Sequence, residues 1–282
     1  MLINKLEYYK TRSNYTGNIC GIDDPARSKN GKLAWNLYPE QDFDYKFNSW
    51  GFRGPEYDQF INTPVNICLG DSFTVNVGGP ISHSWASQLA EHFDIPTLNL
   101  GMDGAGNDAI QLLYQRACEV FDVQDTFVMY SFLPRRLRNG VFLQEVHEDK
   151  DNFEYFLRHC ISGVHSCALP EYCMSAEEKM FFDKLGIYYL PRITNYSSSQ
   201  HLDRTKCVIE SIYNDIRGSS WPTYSSFIAD ADPHPDMFTE EFGYFMENKN
   251  ITNRDGFHLN YDSNKKYADY FIQDSQSATV ML

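Results

Sequence analysis

The fold is decided by the stretch PVNICLGDS at residues 64–72, a short apolar run that stops at a glycine. The run favours β-structure and lacks the polar alternation of a half-exposed strand. Strands of a parallel sheet are covered on both faces, so this pattern is typical of a buried parallel strand. The sequence therefore predicts a strand over 64–69 and, directly after it, a tight turn that carries Asp71 and Ser72.

Further strand and helix patterns follow at short spacing. Residues 97–100 and 126–131 are β-favouring runs, and apolar residues recur at helical spacing over 85–93 and 110–121. An order of strand, helix, strand, helix and strand favours right-handed βαβ units. We therefore expect an α/β protein, a three-layer α/β/α sandwich around a parallel sheet of about five strands.

The second half of the chain gives weaker patterns. Helical spacing predicts helices over 176–185, 199–217 and 263–273, and residues 187–190 favour a strand. Residues 218–254 contain three prolines and little periodicity. We expect mostly loop in that range, because proline interrupts both helices and strands.

The chain has 282 residues, a length that fits one or two domains, and no low-complexity linker marks a boundary. We expect an N-terminal extension, residues 1–62, packed on a main α/β domain, residues 63–282. An insertion is expected at about 140–175, between the third strand and the loop that carries Asp255 and His258.

The charge balance excludes several classes of partner. The sequence has 24 basic and 38 acidic residues, a formal net charge of −14. Such a charge repels nucleic-acid backbones and anionic lipid surfaces, so we expect neither partner. The hydrophobic share of 42% and the charged share of 22% are ordinary for a globular protein and indicate a proper core.

The cysteines and the N-terminus indicate an ordinary intracellular chain. Seven cysteines without C-x-x-C spacing predict neither a disulfide framework nor a zinc ribbon. Cys160, Cys167 and Cys173 lie near His159 and His165, which leaves a metal site as a minor alternative. We expect no metal and no cofactor. The chain begins without a signal-peptide pattern and has no apolar run of membrane-spanning length, so we expect a cytoplasmic protein.

Chemistry is expected where the strands end, because ligands of parallel α/β sheets bind beyond the carboxyl ends of the strands. Residues 70–72 follow the first strand, 101–107 the second and 131–135 the third, while Asp255 and His258 precede the last helix. A serine is a poor nucleophile until an imidazole takes its proton, and a carboxylate holds that imidazole in the right tautomer. Serine, histidine and aspartate together therefore indicate nucleophilic catalysis.

Three blocks in this order resemble the SGNH (GDSL-type) hydrolase family of esterases and lipases. They are Gly-Asp-Ser at 70–72, Asn-x-Gly-x-x-Gly at 99–104 and Asp-x-x-His at 255–258, and the resemblance spans roughly 65–271. The run FNSWGFRG at 47–54 is also similar to a segment that precedes the first block in some bacterial and phage members. The resemblance implies a flavodoxin-like α/β/α fold and ester hydrolysis through an acyl-serine intermediate.

The resemblance also implies a role for each matched residue. Ser72 falls on the nucleophile, and its N–H and that of Gly104 fall on the oxyanion hole. His258 falls on the general base and Asp255 on the carboxylate that orients it. Residues 259–264, LNYDSN, are similar to the family's run after the catalytic histidine, although its proline and glycine are replaced.

One block departs from the family pattern. The asparagine that supplies a third oxyanion donor should follow the third strand, but the sequence there is SFLP, with Leu133 near its place. Loss of one such donor can lower a rate by about 10²–10³. Asn107 could supply the donor from the second loop, or it could cap a helix, a position that asparagine also favours. Arg135 and Arg136 are weaker substitutes, because a flexible cation is harder to preorganise.

Alternatives remain for the base and for the function. His234, in DADPHP, is a rival base, but no helix pattern follows it, and we favour His258. The expected substrate is a small-molecule or glycan ester with a short O-acyl group. The alternatives are a non-catalytic SGNH-fold protein that binds a glycan or a protein, and an O-acyltransferase with the same triad.

Overall fold

The computed structural model of the protein describes residues 12–17, 45–139, 141–145, 148–191 and 258–279. Some of the predicted features lie outside these residues: Asp255, His234, the helix over 199–217 and the loop over 218–254.

Over residues 64–130 the described strands are separated by helices. The strands, in chain order, are β1 (Thr16–Gly17), β2 (Tyr45–Lys46), β3 (Pro64–Leu69), β4 (Thr97–Asn99), β5 (Asp122–Tyr130), β6 (Arg135–Arg138), β7 (Val141–Gln144) and β8 (His165–Ala168). The helices are α1 (Ser72–Val75), α2 (Trp85–His92), α3 (Asn107–Val120), α4 (Asp149–His159), α5 (Ala176–Leu185) and α6 (Tyr261–Thr279). None of these helices combines the length and apolar character that a membrane span requires.

A parallel sheet of four strands forms the centre of the described part of the chain, in the order β4-β3-β5-β8. Ile67 in β3 lies opposite Leu98 of β4 on one side and Thr126 of β5 on the other. The chain thus runs from β3 outward to β4 and then returns across β3 to β5. This strand order is that of flavodoxin-like sheets.

Helices cover both faces of the sheet. Alternate side chains of a strand point to opposite faces, so Ile67 and Val128 share a core with α3, α4 and α5, whereas Cys68 and Phe127 share a second core with α2 and α6. The protein is therefore a three-layer α/β/α sandwich.

The segment before β3 belongs to the main core. Trp50, Phe52 and Tyr57 are buried with the residues of β3 and α3. The Tyr57 hydroxyl donates to the Asn99 carbonyl at 2.8 Å, at the end of β4. This part of the N-terminal segment consequently supports the sheet at the edge where the predicted site lies.

The predicted fold class is confirmed, with differences in detail. Four strands pair in the described sheet, against the expected number of about five, and residues 187–190 contribute a single parallel bridge, from Tyr188 to Cys167 in β8. The strand β8 lies within the segment 140–175 expected as an insertion, so that segment also supplies a strand of the sheet.

Candidate active site

The carboxyl ends of β3 and β5 lie side by side where the strand order reverses. In open parallel sheets this reversal leaves a crevice beyond the strand ends, which is where ligands bind. Asp71 and Ser72 come directly after β3 and its glycine, and Ser131 comes directly after β5. The topology therefore brings these polar residues to the position that favours a ligand.

The turn after β3 is sterically restricted. A Cβ at Gly70 would lie 2.1 Å from Thr74 Oγ1 and 2.9 Å from the Met129 carbonyl oxygen, so only glycine fits. Asp71 Oδ1 then accepts the Phe73 N–H at 3.0 Å, which caps the N-terminus of α1. Ser72 is the first residue of α1 and is 4% exposed.

A buried carboxylate network joins this turn to the end of β5. Asp71 is fully buried, and its Oδ2 accepts the Ser131 hydroxyl at 2.7 Å and Arg135 Nη1 at 2.8 Å. Burial raises the pKa of Asp71, and the Arg135 charge and the Ser131 hydrogen bond oppose that rise. Sequence reasoning did not assign a role to Asp71 or Ser131. Their positions directly beyond two strands were the signal that could have found them.

His258 lies against the same turn. Its ring packs on Phe73, with ring centroids 4.7 Å apart and planes inclined by 56°, and it is 3% exposed. The charge of His258 also acts to lower the pKa of Asp71. His258 therefore contacts the residue after Ser72 and interacts electrostatically with the residue before it.

The loop after β4, which carries Gly104, packs on α1. Asn99 Nδ2 donates to the Thr74 carbonyl at 2.9 Å, and its Oδ1 accepts the Gly101 N–H at 2.9 Å. A Cβ at Gly101 would lie 2.7 Å from the Val75 nitrogen, so the close contact with α1 requires glycine there. Gly104 has φ +78°, a conformation that glycine adopts without strain.

Asn107 is held by the backbone of Ser131. Its Nδ2 donates to the Ser131 carbonyl at 3.0 Å, and its Oδ1 accepts the Ser131 N–H at 2.8 Å. Gly106 is the N-cap of α3 and Asn107 its first residue, so the cap role considered for Asn107 is wrong. The Asn107 amide instead joins the second loop to the end of β5.

The place of the third-block asparagine is apolar. Leu133 is 1% exposed and belongs to the core. Both neighbouring arginines are fixed, contrary to the expectation that a flexible cation is hard to preorganise. Arg135 is bound to Asp71, and the Arg136 guanidinium lies 3.5 Å from the ring centroid of Tyr155.

Arg53, from the run FNSWGFRG, binds the turn after α1. Its Nη1 donates to the carbonyls of Val75 at 3.0 Å and Asn76 at 2.7 Å, and its Nη2 donates to that of Gly79 at 2.9 Å. Its guanidinium also lies 4.3 Å from the ring centroid of Tyr45. The sequence suggested a family segment here but gave no role to Arg53, because its partners lie 22 to 26 residues further along the chain.

The cysteine-rich segment does not form a metal site within the described residues. No three His, Cys, Asp or Glu side chains in the described ranges are grouped as metal ligands. Cys160 Sγ lies 3.3 Å from the Tyr130 hydroxyl, and Cys167 is buried in the core. His165 Nδ1 lies 2.7 Å from Asp274 Oδ2, an ion pair between β8 and α6 when His165 is protonated.

Comparison with solved structures adds a structural likeness. No protein-family model and no curated protein matches the chain. A solved structure of the psychrotrophic esterase EstA from Pseudoalteromonas sp., inhibited by monoethylphosphonate, is similar to 78% of this chain and 99% of that chain, at 11% sequence identity and a TM-score of 0.34. The fold assignment rests on the layers and strand order of the protein itself.

Proposed function

We propose that the protein is a serine esterase of the SGNH type, which hydrolyses a carboxylic ester through an acyl-serine intermediate. The observation that carries the proposal is the position of His258. Its ring packs on Phe73, the residue directly after Ser72, and its charge acts on Asp71, the residue directly before Ser72. A base next to a serine at the switch point of a parallel sheet is the arrangement that nucleophilic catalysis needs.

In the proposed reaction, His258 takes the proton of the Ser72 hydroxyl as its oxygen attacks the ester carbonyl. His258 then gives that proton to the departing alcohol, and the ester C–O bond breaks to leave an acyl-serine. Water, deprotonated by the same imidazole, releases the acid and restores the hydroxyl. Asp255 is proposed as the carboxylate that orients His258.

The oxyanion is proposed to bind the N–H groups of Ser72 and Gly104. Asn107 is the candidate for a third donor, because its Nδ2 carries two N–H groups and its position is fixed by both hydrogen bonds to Ser131. A preorganised donor is what stabilises developing negative charge. This arrangement would compensate for Leu133 in the place of the family's asparagine.

The proposed substrate is a short O-acyl ester on a small molecule or a glycan. The Phe142 ring, from β7, lies 3.6 Å from the position that a Cβ of Gly104 would take. An aromatic ring therefore packs on the loop that carries Gly104. We propose that this ring limits the length of the acyl chain that the site accepts.

The proposal is tested by hydrolysis of p-nitrophenyl acetate, butyrate and octanoate. We expect kcat/KM to be highest for acetate and to fall by about 10⁴-fold or more in Ser72→Ala and His258→Ala. Ser277→Ala, which removes an exposed serine on α6, is the matched control and should retain full activity. Equal rates for the wild type and Ser72→Ala on all three esters would contradict the proposal.

A non-catalytic binding protein is the second candidate, and burial of Leu133 in the third-block position favours it. A folded protein that neither hydrolyses these esters nor reacts with a fluorophosphonate would support this candidate. An O-acyltransferase shares the acyl-serine step. Transfer of the acetyl group to an added sugar alcohol, at the expense of hydrolysis, would identify that activity.

A further inference from the structure

Asn264, in the first turn of α6, is fully buried and contacts three separate parts of the site region. Its Oδ1 accepts the N–H of Trp85, the first residue of α2, at 3.0 Å. Its Nδ2 lies 3.0 Å from Asn76 Oδ1, just after α1, and 2.9 Å from the Leu259 carbonyl, just after His258. One side chain therefore touches α2, the turn after α1 and the turn after His258.

The chemistry of the partners fixes the orientation of both amides. The backbone N–H of Trp85 can only donate, so the Asn264 atom that faces it is the oxygen, and Nδ2 points to Asn76. The Pro80 carbonyl can only accept, so the Asn76 atom facing it at 2.6 Å is Nδ2, and Oδ1 points to Asn264. Donor and acceptor consequently match in the Asn264–Asn76 hydrogen bond.

The two residues of this hydrogen bond are each linked to one of the two proposed reacting residues. Asn76 is linked to Ser72, and Asn264 is linked to His258. Asn76 follows α1, whose first residue is Ser72, and its φ of 60° and ψ of 56° place it in the left-handed region. On the other side, Asn260 lies two residues after His258 and directly before α6. Its side chain accepts the Ser263 N–H at 2.9 Å, a hydrogen bond that caps the N-terminus of α6. The path from Ser72 to His258 through these two amides runs through buried residues.

We propose that Asn264 is a positioning residue, which sets the distance between Ser72 and His258 through its hydrogen bond to Asn76. The inference rests on the proposed esterase function, because it assigns Ser72 and His258 as the reacting pair. Asn264 acts through the backbone on either side and does not touch the substrate. Misplacing a catalytic group by about 1 Å can lower a rate by about 100-fold.

The test compares Asn264→Ala with Asn76→Gly, which breaks the same hydrogen bond from its other end. Glycine accepts the left-handed conformation of residue 76, so the second variant removes the amide without backbone strain. With p-nitrophenyl acetate we expect each variant to lower kcat by about 10- to 100-fold and to leave KM unchanged, since only alignment in the transition state is lost. The fold-loss of kcat in the double variant should be smaller than the product of the two single losses, because both variants remove the Asn264–Asn76 hydrogen bond.

A matched control separates alignment from stability. Phe271→Leu alters a fully buried residue of the same helix, which packs on Trp85 but has no part in the amide bridge. The Tm of each variant is measured beside its kinetics. We expect Phe271→Leu to lower Tm and to retain the wild-type kcat well below its Tm.

The outcomes distinguish this inference from the proposed function. If Asn264→Ala and Asn76→Gly are folded and keep the wild-type kcat, the inference is overturned and the proposed function is not affected. The inference is also overturned if Phe271→Leu has the same Tm as these two variants and loses as much kcat as they do. A wild-type protein no faster than Ser72→Ala would overturn the proposed function itself. A selective loss of kcat in the two bridge variants would support both.

Discussion

Two arginines hold opposite ends of α1, the short helix that begins with Ser72, and they bind different partners. At the N-terminal end Arg135 binds the buried carboxylate of Asp71 through one nitrogen, Nη1. At the C-terminal end Arg53 binds three main-chain carbonyls, those of Val75, Asn76 and Gly79, through two nitrogens. The first contact pairs two charges, whereas the second depends on the shape of the guanidinium.

This difference predicts which property each arginine controls. Removing one partner of a buried ion pair leaves an uncompensated charge, which is strongly unfavourable. Main-chain carbonyls carry no net charge, but three of them in one turn require a rigid donor group with several N–H groups, such as the planar guanidinium. We therefore expect Arg135 to be sensitive to loss of charge and Arg53 to be sensitive to loss of geometry.

The largest effect is expected for Arg135→Ala. Asp71 is fully buried and the Arg135 side chain is 15% exposed, so the variant leaves a buried carboxylate without its cation. We expect the free energy of unfolding to fall by about 3–5 kcal/mol, measured by urea denaturation near neutral pH. Adding Asp71→Asn should recover part of the loss, because the buried charge is then absent. No recovery in the double variant would contradict the role assigned to the ion pair.

The pH dependence of the Arg135→Ala loss provides a second check. Burial raises the pKa of Asp71 above its ordinary 3.8, and Arg135 opposes that rise. Without Arg135 the pKa in the folded state is higher still, so stability is lost as pH rises through the interval between the unfolded and folded pKa values. The deficit of Arg135→Ala relative to the wild type should therefore shrink as the pH is lowered from neutral towards the ordinary carboxyl pKa of 3.8. A deficit that is constant with pH would show that charge is not its cause.

An intermediate effect is expected for Arg53→Lys. Lysine keeps the positive charge but cannot reach three carbonyls with the geometry of a guanidinium. We expect a loss of about 2–3 kcal/mol in the free energy of unfolding, from one or two lost hydrogen bonds of a charged donor. A free energy within experimental error of the wild type would show that charge, not shape, matters at this end.

The smallest effect is expected for Arg135→Lys. Asp71 and Ser131 are both contacted by the single atom Nη1, a role that an ammonium group can fill. What is lost is the contact of the guanidinium with the Phe132 ring, 4.4 Å from its centroid, at a cost of about 1 kcal/mol. A larger loss than that of Arg53→Lys, in the same urea titrations, would reverse the comparison between the two ends of α1.

Strands and helices that are specified by a local sequence pattern could be predicted from the sequence. The predicted strand 64–69 and the predicted helix 176–185 agree with β3 and α5 residue for residue. Residues at both ends of this helix determine where it begins and ends. Ser175 and Glu178 form a capping box at its N-terminus, and Gly186 adopts the left-handed conformation at its C-terminus. The strand β8 was not predicted, because its four residues HSCA become a strand by pairing with β5, far away in the chain.

The candidate site could be predicted only in part, for the same reason. Ser72 and His258 lie in blocks that local sequence identifies. Asp71, by contrast, owes its role to Ser131 and Arg135, which lie 60 and 64 residues away, and no local pattern connects them. Asn264 is likewise given its place by Asn76, 188 residues earlier. Such partners are brought together by the fold, and their spacing along the chain does not reveal them.

The most direct test of the central claim, that Ser72 is a nucleophile activated by His258, is fluorophosphonate labelling followed by peptide mass spectrometry. The account predicts one adduct, on Ser72, which forms in the wild type and in Ser277→Ala but is absent or far slower in His258→Ala. No adduct on the folded wild-type protein, or an adduct on Ser72 that forms equally fast without His258, would contradict it.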